Sequence, residues 1–368
     1  MSFRRSLLFI AALIFTCASG AGAATIQAAS CSQTDVQTAI NKAVTGDVVA
    51  LPAGSCTWTA TYAWQAPVYI NNMQKIAIQG AGMDSTIITR SPQGAALSLN
   101  LSGSSVANMQ FVEGYIRPDG DGWRIHHCRF SSSTGYVGVQ VFGTRENLHP
   151  TGLIDHCIFT NMTVGIAGGP TMMAHGIWAK PLNLGTGDNV VYVEDNVFNG
   201  PLYGNSVDGN YGARYVVRYN TINDMWIEAH SVQGANRSIR SWEIYNNTFN
   251  QRNRALWVPF RLRGGTGVVF NNTVTGIWTQ PSIVIDNVRS GTVGNFGTEP
   301  GFCNGNSAWD GNTASLSGYP CRDQIGRSTD QWLWTTTTPY PPQSLDPAYS
   351  WNNKYGAQNV IFSVYGDG

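Results

Sequence analysis

Five ionisable side chains fall close together in the second half of the sequence: Asp208, Glu228, His230, Arg261 and Arg263. Imidazole takes up a proton near neutral pH, so His230 is a candidate base. A guanidinium fork grips a carboxylate through two parallel hydrogen bonds, which suits Arg261 and Arg263. Glu228 and Asp208 offer the oxygen donors that hold Ca²⁺. Arg254, Arg214 and Trp257 share the stretch and are further candidates for contact with a ligand. Together these types can remove a proton from a carbon beside a carboxylate. The base takes the proton, and positive charge, from arginine or Ca²⁺, steadies the negative charge that develops. The C5 proton of a uronic acid is such a proton. Read without chemistry, the same residues form a solvated face of paired charges that contribute little. Tyr203 to Arg263 holds eight of the 18 arginines and four acidic residues, a local excess that favours the chemical reading.

A repeat is what would bring them together. Val193–Phe198, Val217–Ile222, Ile244–Phe249 and Val269–Val274 share one theme, and Val284–Val288 carries it more weakly. The theme is apolar, two polar or aromatic residues, Asn, any residue, apolar. Asn recurs at 196, 220, 247 and 272. Units of this length indicate a solenoid. Their β-branched and aromatic content indicates strands. The expected fold is all-β: a right-handed, single-stranded parallel β-helix with an Asn ladder stacked from coil to coil. A second strand follows each Asn strand, at Tyr203–Gly209, Met225–Ser231, Val258–Gly264 and Ser282–Asp286. Strand alternation turns Val207, Ile227, Ala229, Phe260 and Leu262 inward. It sets Asp208, Glu228, His230, Arg261 and Arg263 on one outer face.

The chain has 368 residues, 41 Gly and 12% charged residues, with equal acid and base. A near-neutral balance argues against nucleic acid as a partner. Arg4-Arg5, the apolar run Leu7–Phe15 and Ala21-Gly22-Ala23 read as a secretion signal cleaved near Ala23. No membrane span is expected, and the product is expected to be a secreted or periplasmic monomer. Cys17 leaves with the signal, and the six other cysteines enter an oxidising compartment. Cys31 with Cys56 and Cys303 with Cys321 are the expected disulfides, one at each end of the solenoid. Cys128 and Cys157 fall at equivalent places of two repeats, as a stacked free pair or a bond.

Ser32 to Lys42 has helical spacing and would cap the first coil. Gly46–Gly54 (GDVVALPAG) and Ile78–Gly82 (IQGAG) follow in order. These segments resemble the opening of the pectate-lyase-like superfamily. The expected units are a signal at 1–23, a β-helix at 24–295 and an irregular, disulfide-bearing C-terminal cap at 296–368. The step from Cys157 to Asn196 is long, and a protruding loop is expected near Gly168 to Gly187. Leu153–Cys157 resembles a pectate lyase strand but lacks the arginine motif that should follow, so it reads as structural.

A second resemblance lies at the charged face. Ile227–Ser231, Phe260–Gly265 and Asn272–Val274 resemble successive strands of β-helix lyases related to chondroitinase B and alginate lyases. The resemblance implies a polysaccharide lyase, with Arg263 at the catalytic arginine and His230 near the catalytic lysine. No Lys occurs between 181 and 353, so either His230 replaces that base or the activity differs. The expected function is cleavage of a uronic-acid-containing polysaccharide by β-elimination. A glycoside hydrolase using Asp208 and Glu228 and a non-catalytic glycan-binding protein are the alternatives. Peptide mapping without reductant is expected to join Cys303 to Cys321, and free thiols there would refute the C-terminal pairing.

Overall fold

The structure, a computed structural model, describes residues 22–70, 75–100, 103–143, 150–168, 190–200, 204–230, 238–286, 325–326 and 346–365. Residues 1–21 of the expected leader, the expected loop from 169 onward, Cys303 and Cys321 lie outside these residues. The described chain is all-β apart from one helix, Gln33–Lys42. Ser32 caps that helix, its Oγ accepting from the Asp35 N–H at 3.2 Å. Val36, Ala39 and Ile40 form the buried face. The Cys31–Cys56 disulfide, with Cα atoms 5.8 Å apart, fastens the segment before the helix to the strand Gly54–Thr59. Among the described residues no helix is long and apolar enough to cross a membrane.

The strands build two long sheets. Eleven form a parallel sheet from Thr25–Gln27 to Tyr349–Trp351. After the first pair, partners in it are not consecutive strands of the sequence. Val191–Glu194 pairs with Arg214–Arg218, which pairs with Ser241–Tyr245, which pairs with Thr266–Phe270. The remaining strands form a second, curled sheet. There Asn205–Asn210, Trp226–Ala229, Phe260–Leu262 and Ile283–Asp286 pair in parallel, in that order. Each strand thus bonds to its counterpart one repeat later. The core between the sheets is stacked in rows: Phe111, Phe130, Phe159 and Phe198 lie ring on ring, 5.4, 4.9 and 4.7 Å apart.

The corner between the sheets carries the Asn ladder. Asn196, Asn220, Asn247 and Asn272 are each 1% exposed. Asn220 Oδ1 accepts from the Asn196 backbone N–H at 3.0 Å and from its side-chain Nδ2 at 3.1 Å. Asn247 receives the same pair from Asn220, and Asn272 from Asn247. Each Nδ2 also donates to a carbonyl, as Asn220 does to Val193 at 2.8 Å. The preceding residues Asp195, Tyr219, Asn246 and Asn271 have φ between 55° and 58°. Cys128 and Cys157 take the ladder position in earlier repeats and are free, buried thiols. Cys157 N–H donates to Asn196 Oδ1 at 2.8 Å, so the ladder begins on cysteine.

The sequence reading ends the repeat at Val288 and makes 296–368 an irregular cap. For 346–365 the structure corrects this. Tyr349–Trp351 joins the first sheet and Phe362–Tyr365 the second. Asn353 extends the ladder, accepting from Asn272 N–H at 3.1 Å and Nδ2 at 2.8 Å. Ser350-Trp351-Asn352-Asn353 carries the repeat's theme with Ser in place of its first apolar residue, at a spacing of 81 residues from Asn272, which hides it from a search for short periods.

Replacing Asn247 by Leu removes the oxygen that accepts from Asn220 N–H and Nδ2 and the amide that donates to Val217 O, leaving the buried Asn220 N–H and Val217 carbonyl without those partners. The expected loss is about 2–4 kcal/mol, at roughly 1–3 kcal/mol per orphaned group. Thermal melting of Asn220→Leu and Asn247→Leu checks this, and unchanged midpoints in both would refute a stabilising ladder.

Candidate functional site

Strand alternation delivers the charged residues as a cluster. Val207, Ile227, Ala229, Phe260 and Leu262 are fully buried in the core. Asp208 is in register with Glu228, and Glu228 with Arg261. His230 and Arg263 each fall two residues beyond Glu228 and Arg261, so they lie one step along the same face. The backbone continues the pairing there: His230 N–H donates to Gly209 O and Arg263 N–H to Ala229 O, both at 2.9 Å.

The contacts are specific. His230 Nδ1 lies 2.8 Å from Asp208 Oδ1. Glu228 Oε1 is 3.9 Å from the same nitrogen. Arg263 Nη2 donates to Glu228 Oε1 in a short, buried ion pair. Arg261 Nη1 reaches that oxygen at 3.5 Å. The Arg261 guanidinium also lies 5.5 Å from the centre of the Trp257 ring, a cation–π arrangement.

The expected open face is in fact largely covered. Glu228 is 5% and Arg263 7% exposed. His230 and Asp208 are partly covered, and Arg261 is the more open of the two cluster arginines. Burial alone would raise the Glu228 carboxyl; Arg263, then His230 and Arg261, outweigh it, and the net shift is downward. Burial pushes the Asp208 carboxyl up, and His230 offsets only part of that. Two carboxylates on neighbouring strands therefore differ, with Glu228 held ionised and Asp208 eased toward protonation.

Two other expected residues stand apart. Arg214 is 1% exposed in the first sheet, where burial and Arg240 push its guanidinium down to about 10. Its strand belongs to the first sheet, outside the row of Asp208, Glu228 and Arg261. Arg254 is exposed on the irregular part of Thr248–Leu256. Among the described residues it has no hydrogen bond or ion pair with the cluster, and its carbonyl accepts from Gln251 Nε2. Asp155, in the Leu153–Cys157 segment, is held by Arg124 through two bonds of 2.8 Å.

Two cluster members were missed in the sequence. Trp226 Nε1 donates to Glu228 Oε2 at 3.1 Å. Its place two residues before Glu228 made it legible by alternation. Gly204 lets its ring lie flat, because a Cβ there would come within 2.0 Å of the indole. Tyr215 donates its hydroxyl to the Glu228 carbonyl at 3.1 Å from the core side; no local pattern signals that contact.

Neither carboxylate is arranged for Ca²⁺. Arg261 and Arg263 occupy Glu228 Oε1, Trp226 occupies Oε2, and His230 occupies Asp208 Oδ1. Two guanidiniums beside the carboxylates also disfavour a divalent cation. What the cluster can do is hold His230 with Nδ1–H toward Asp208, leaving Nε2 as the basic nitrogen, beside fixed positive charge.

No family model matches the chain, and no curated protein matches its sequence. Among solved structures it is similar to an alginate lyase from Paenibacillus sp. str. FPU-7, with a TM-score of 0.39 and 11% identity. That alignment covers 93% of this chain and 99% of the other.

The buried Glu228–Arg263 pair makes a pH prediction. The folded-state value of Glu228 is lowered, so its contribution to stability is complete above the ordinary glutamate value of 4.5 and is lost as pH falls through the lowered value. Glu228→Gln should remove this part of the acid limb. It should also destabilise the protein at pH 7 by about 3–5 kcal/mol, because the buried Arg263 loses its ion pair with Glu228. Denaturant titrations from pH 3 to 7 test both; equal stability of variant and parent at pH 7 would exclude the pair as a structural element.

Proposed function

We propose that the protein is an exported, monomeric polysaccharide lyase that cleaves a uronic-acid-containing glycan by β-elimination. We read its passes of chain as coils of a right-handed parallel β-helix. The observation that carries the functional reading is the His230–Asp208 hydrogen bond set beside two guanidiniums on the next strand.

His230 Nε2 takes the C5 proton of the uronic acid. The C5–H electrons form the C4–C5 double bond, and the C4–O bond breaks. The departing oxygen regains a proton, which the imidazolium can return. Asp208 fixes the tautomer and steadies the imidazolium once it forms. Arg261, set over Trp257 and the more open of the two arginines, receives the substrate carboxylate. Arg263 is committed to Glu228, and that pair positions Arg261 and His230. This reverses the sequence expectation, in which Arg263 meets the substrate. Positive charge comes from arginine here, so the reading uses no calcium.

The divergent environments of Asp208 and Glu228 favour one second reading, a hydrolase with two carboxylates. The product separates the two. A lyase leaves a conjugated double bond that absorbs in the ultraviolet, whereas a hydrolase leaves reducing ends without it.

Assayed on alginate, polygalacturonate and chondroitin sulfate, the parent should yield the absorbing product from at least one polymer. His230→Ala should lower kcat by roughly 10²–10⁴, the worth of a positioned base. Arg261→Lys should recover part of the loss seen in Arg261→Ala, since a point charge cannot reproduce the fork. Chelator should leave the rate unchanged. A His230→Ala protein of near-parental activity would dismiss this base.

A further inference from the structure

A second polar site lies on the same face of the curled sheet, toward the N-terminus. A surface cleft of about 320 Å³ is lined by Trp64, Tyr69, Ser98, Asn100, Arg117 and Asp119 among others. Three features set it apart from ordinary surface.

The first is an aromatic platform. Tyr62 and Trp64 stack with ring centres 5.4 Å apart and planes within 8°. They remain 56% and 65% exposed, large apolar faces turned to water. Aromatic side chains of this kind carry binding where one face is apolar and the rim is polar. The C–H face of a sugar ring is the complementary surface.

The second is how the platform is held. Arg90 is 1% exposed and gives its five N–H groups to five carbonyls. Two of these belong to the aromatic loop, Tyr62 O at 3.1 Å and Gln65 O at 3.3 Å. Ala63 O accepts from the Ala95 N–H at 2.7 Å. Gly94 permits this approach, since a Cβ there would come within 2.3 Å of Ala63 O. A loop with a buried guanidinium under it presents its rings in one place, and preorganisation of that sort favours affinity.

The third is charge. Arg117 Nε contacts Asp119 Oδ1 at 3.4 Å, and its guanidinium lies 4.7 Å from the centre of the Phe142 ring. Among the described residues, the bond to Asp119 is the one hydrogen bond of that guanidinium. Asp119 is buried, so it fixes Nε while Nη1 and Nη2 retain donors for an anion.

Register connects this cleft to the first cluster. Asp119 bridges to Phe142, Phe142 pairs with Ala167, and Ala167 with Asn210 on the strand of Asp208. Ile116 pairs with Val139, which sets Arg117 beside Gln140; Gln140 pairs with Gly165, and Gly165 with Asp208. Three strand spacings of ~4.8 Å put Arg117 roughly 14 Å from the Asp208 row. Between them lie Gln140, whose side-chain amide packs over Gly165, and the Phe142–Ala167 pair. The span matches an extended oligosaccharide of a few units.

We propose that Trp64, Tyr69, Arg117 and Asp119 form a distal subsite for an anionic glycan, engaging a sugar several units from the one held at His230 and Arg261. Trp64 stacks on a sugar face, and Arg117 takes a carboxylate or sulfate. The inference rests on the lyase reading for its substrate but has its own binding test.

Affinity electrophoresis in gels containing alginate, polygalacturonate or chondroitin sulfate supplies that test, with neutral dextran as control. The parent and His230→Ala should both be retarded by the same acidic polymer and not by dextran. Trp64→Ala and Arg117→Gln should each weaken retardation about tenfold, with Arg117→Lys intermediate. Trp64 is mostly exposed, so its variant keeps the fold, which its melting midpoint verifies. In kinetics on the long polymer, both variants should raise KM and keep kcat. On the shortest oligosaccharide that is turned over, they should match the parent. Retardation lost in the two variants without any elimination product from the parent would sustain the subsite and defeat the lyase reading. Equal retardation of parent, Trp64→Ala and Arg117→Gln would overturn the subsite, as would a parent that binds none of the acidic polymers. Equal retardation by dextran would overturn its anionic character.

Discussion

The corner hydrogen bond of the Asn ladder is the constraint on which the structure depends. A left-handed backbone residue costs free energy for any side chain but glycine. Here such residues recur directly before each ladder position, from Asn108 through His127, His156, Asp195, Tyr219, Asn246 and Asn271 to Asn352. Reversing the chain in this way strands backbone donors and acceptors in a dry corner. A side-chain amide has a donor and an acceptor on one planar group, so a single Asn repairs both and passes the demand to the next repeat. The ladder also fixes register. A slip of one residue would turn every side chain of the strand to the wrong face, and the amide would meet no partner.

Register is what makes the charged cluster possible. Asp208, Glu228 and Arg261 come from strands far apart in sequence, yet they stand in one row because their repeats are locked at the corner. The cluster then follows its own electrostatics. Glu228 lies too deep to remain ionised by solvent alone, and two guanidiniums and an indole N–H replace the lost water. His230 and Asp208 form a separate pair beside it. The row thus divides into a fixed ionic support and a pair able to exchange a proton.

Much of this was legible in the sequence, for a physical reason. Asn at a constant position and strict alternation after it report buried corners and core-facing rows, and both depend only on local pattern. The inward set Val207, Ile227, Ala229, Phe260 and Leu262 and the outward set followed directly. What the pattern could not report was depth. Alternation separates core from outer face, but it does not say whether the outer face meets water, so the burial of Glu228 and Arg263 was unforeseen. It also could not separate Arg214 from Arg261. Both are arginines in strands of the charged stretch, but one is buried in the first sheet near Arg240 and the other faces the cluster. The last repeat escaped because a long insertion breaks the period, although Asn353 carries the same signal as its predecessors.

The division of labour among the arginines bears on which chemistry the cluster can support. A carboxylate acting on a sugar must have a lone pair to offer, as nucleophile or as base to water. Glu228 has Oε1 between two guanidiniums and Oε2 on an indole, and its ionised form is stabilised by them, which lowers its basicity. Asp208 is tied to His230. Neither is well placed for hydrolysis. Proton abstraction places different demands on the same groups. It needs one basic nitrogen in a fixed tautomer, a counter-charge for the imidazolium that results, and a guanidinium where negative charge accumulates. In the proposed reaction His230, Asp208 and Arg261 would answer those demands in turn, with the Glu228–Arg263 pair as a fixed support beside them. The arrangement therefore favours elimination over hydrolysis on electrostatic grounds, independent of any resemblance in sequence.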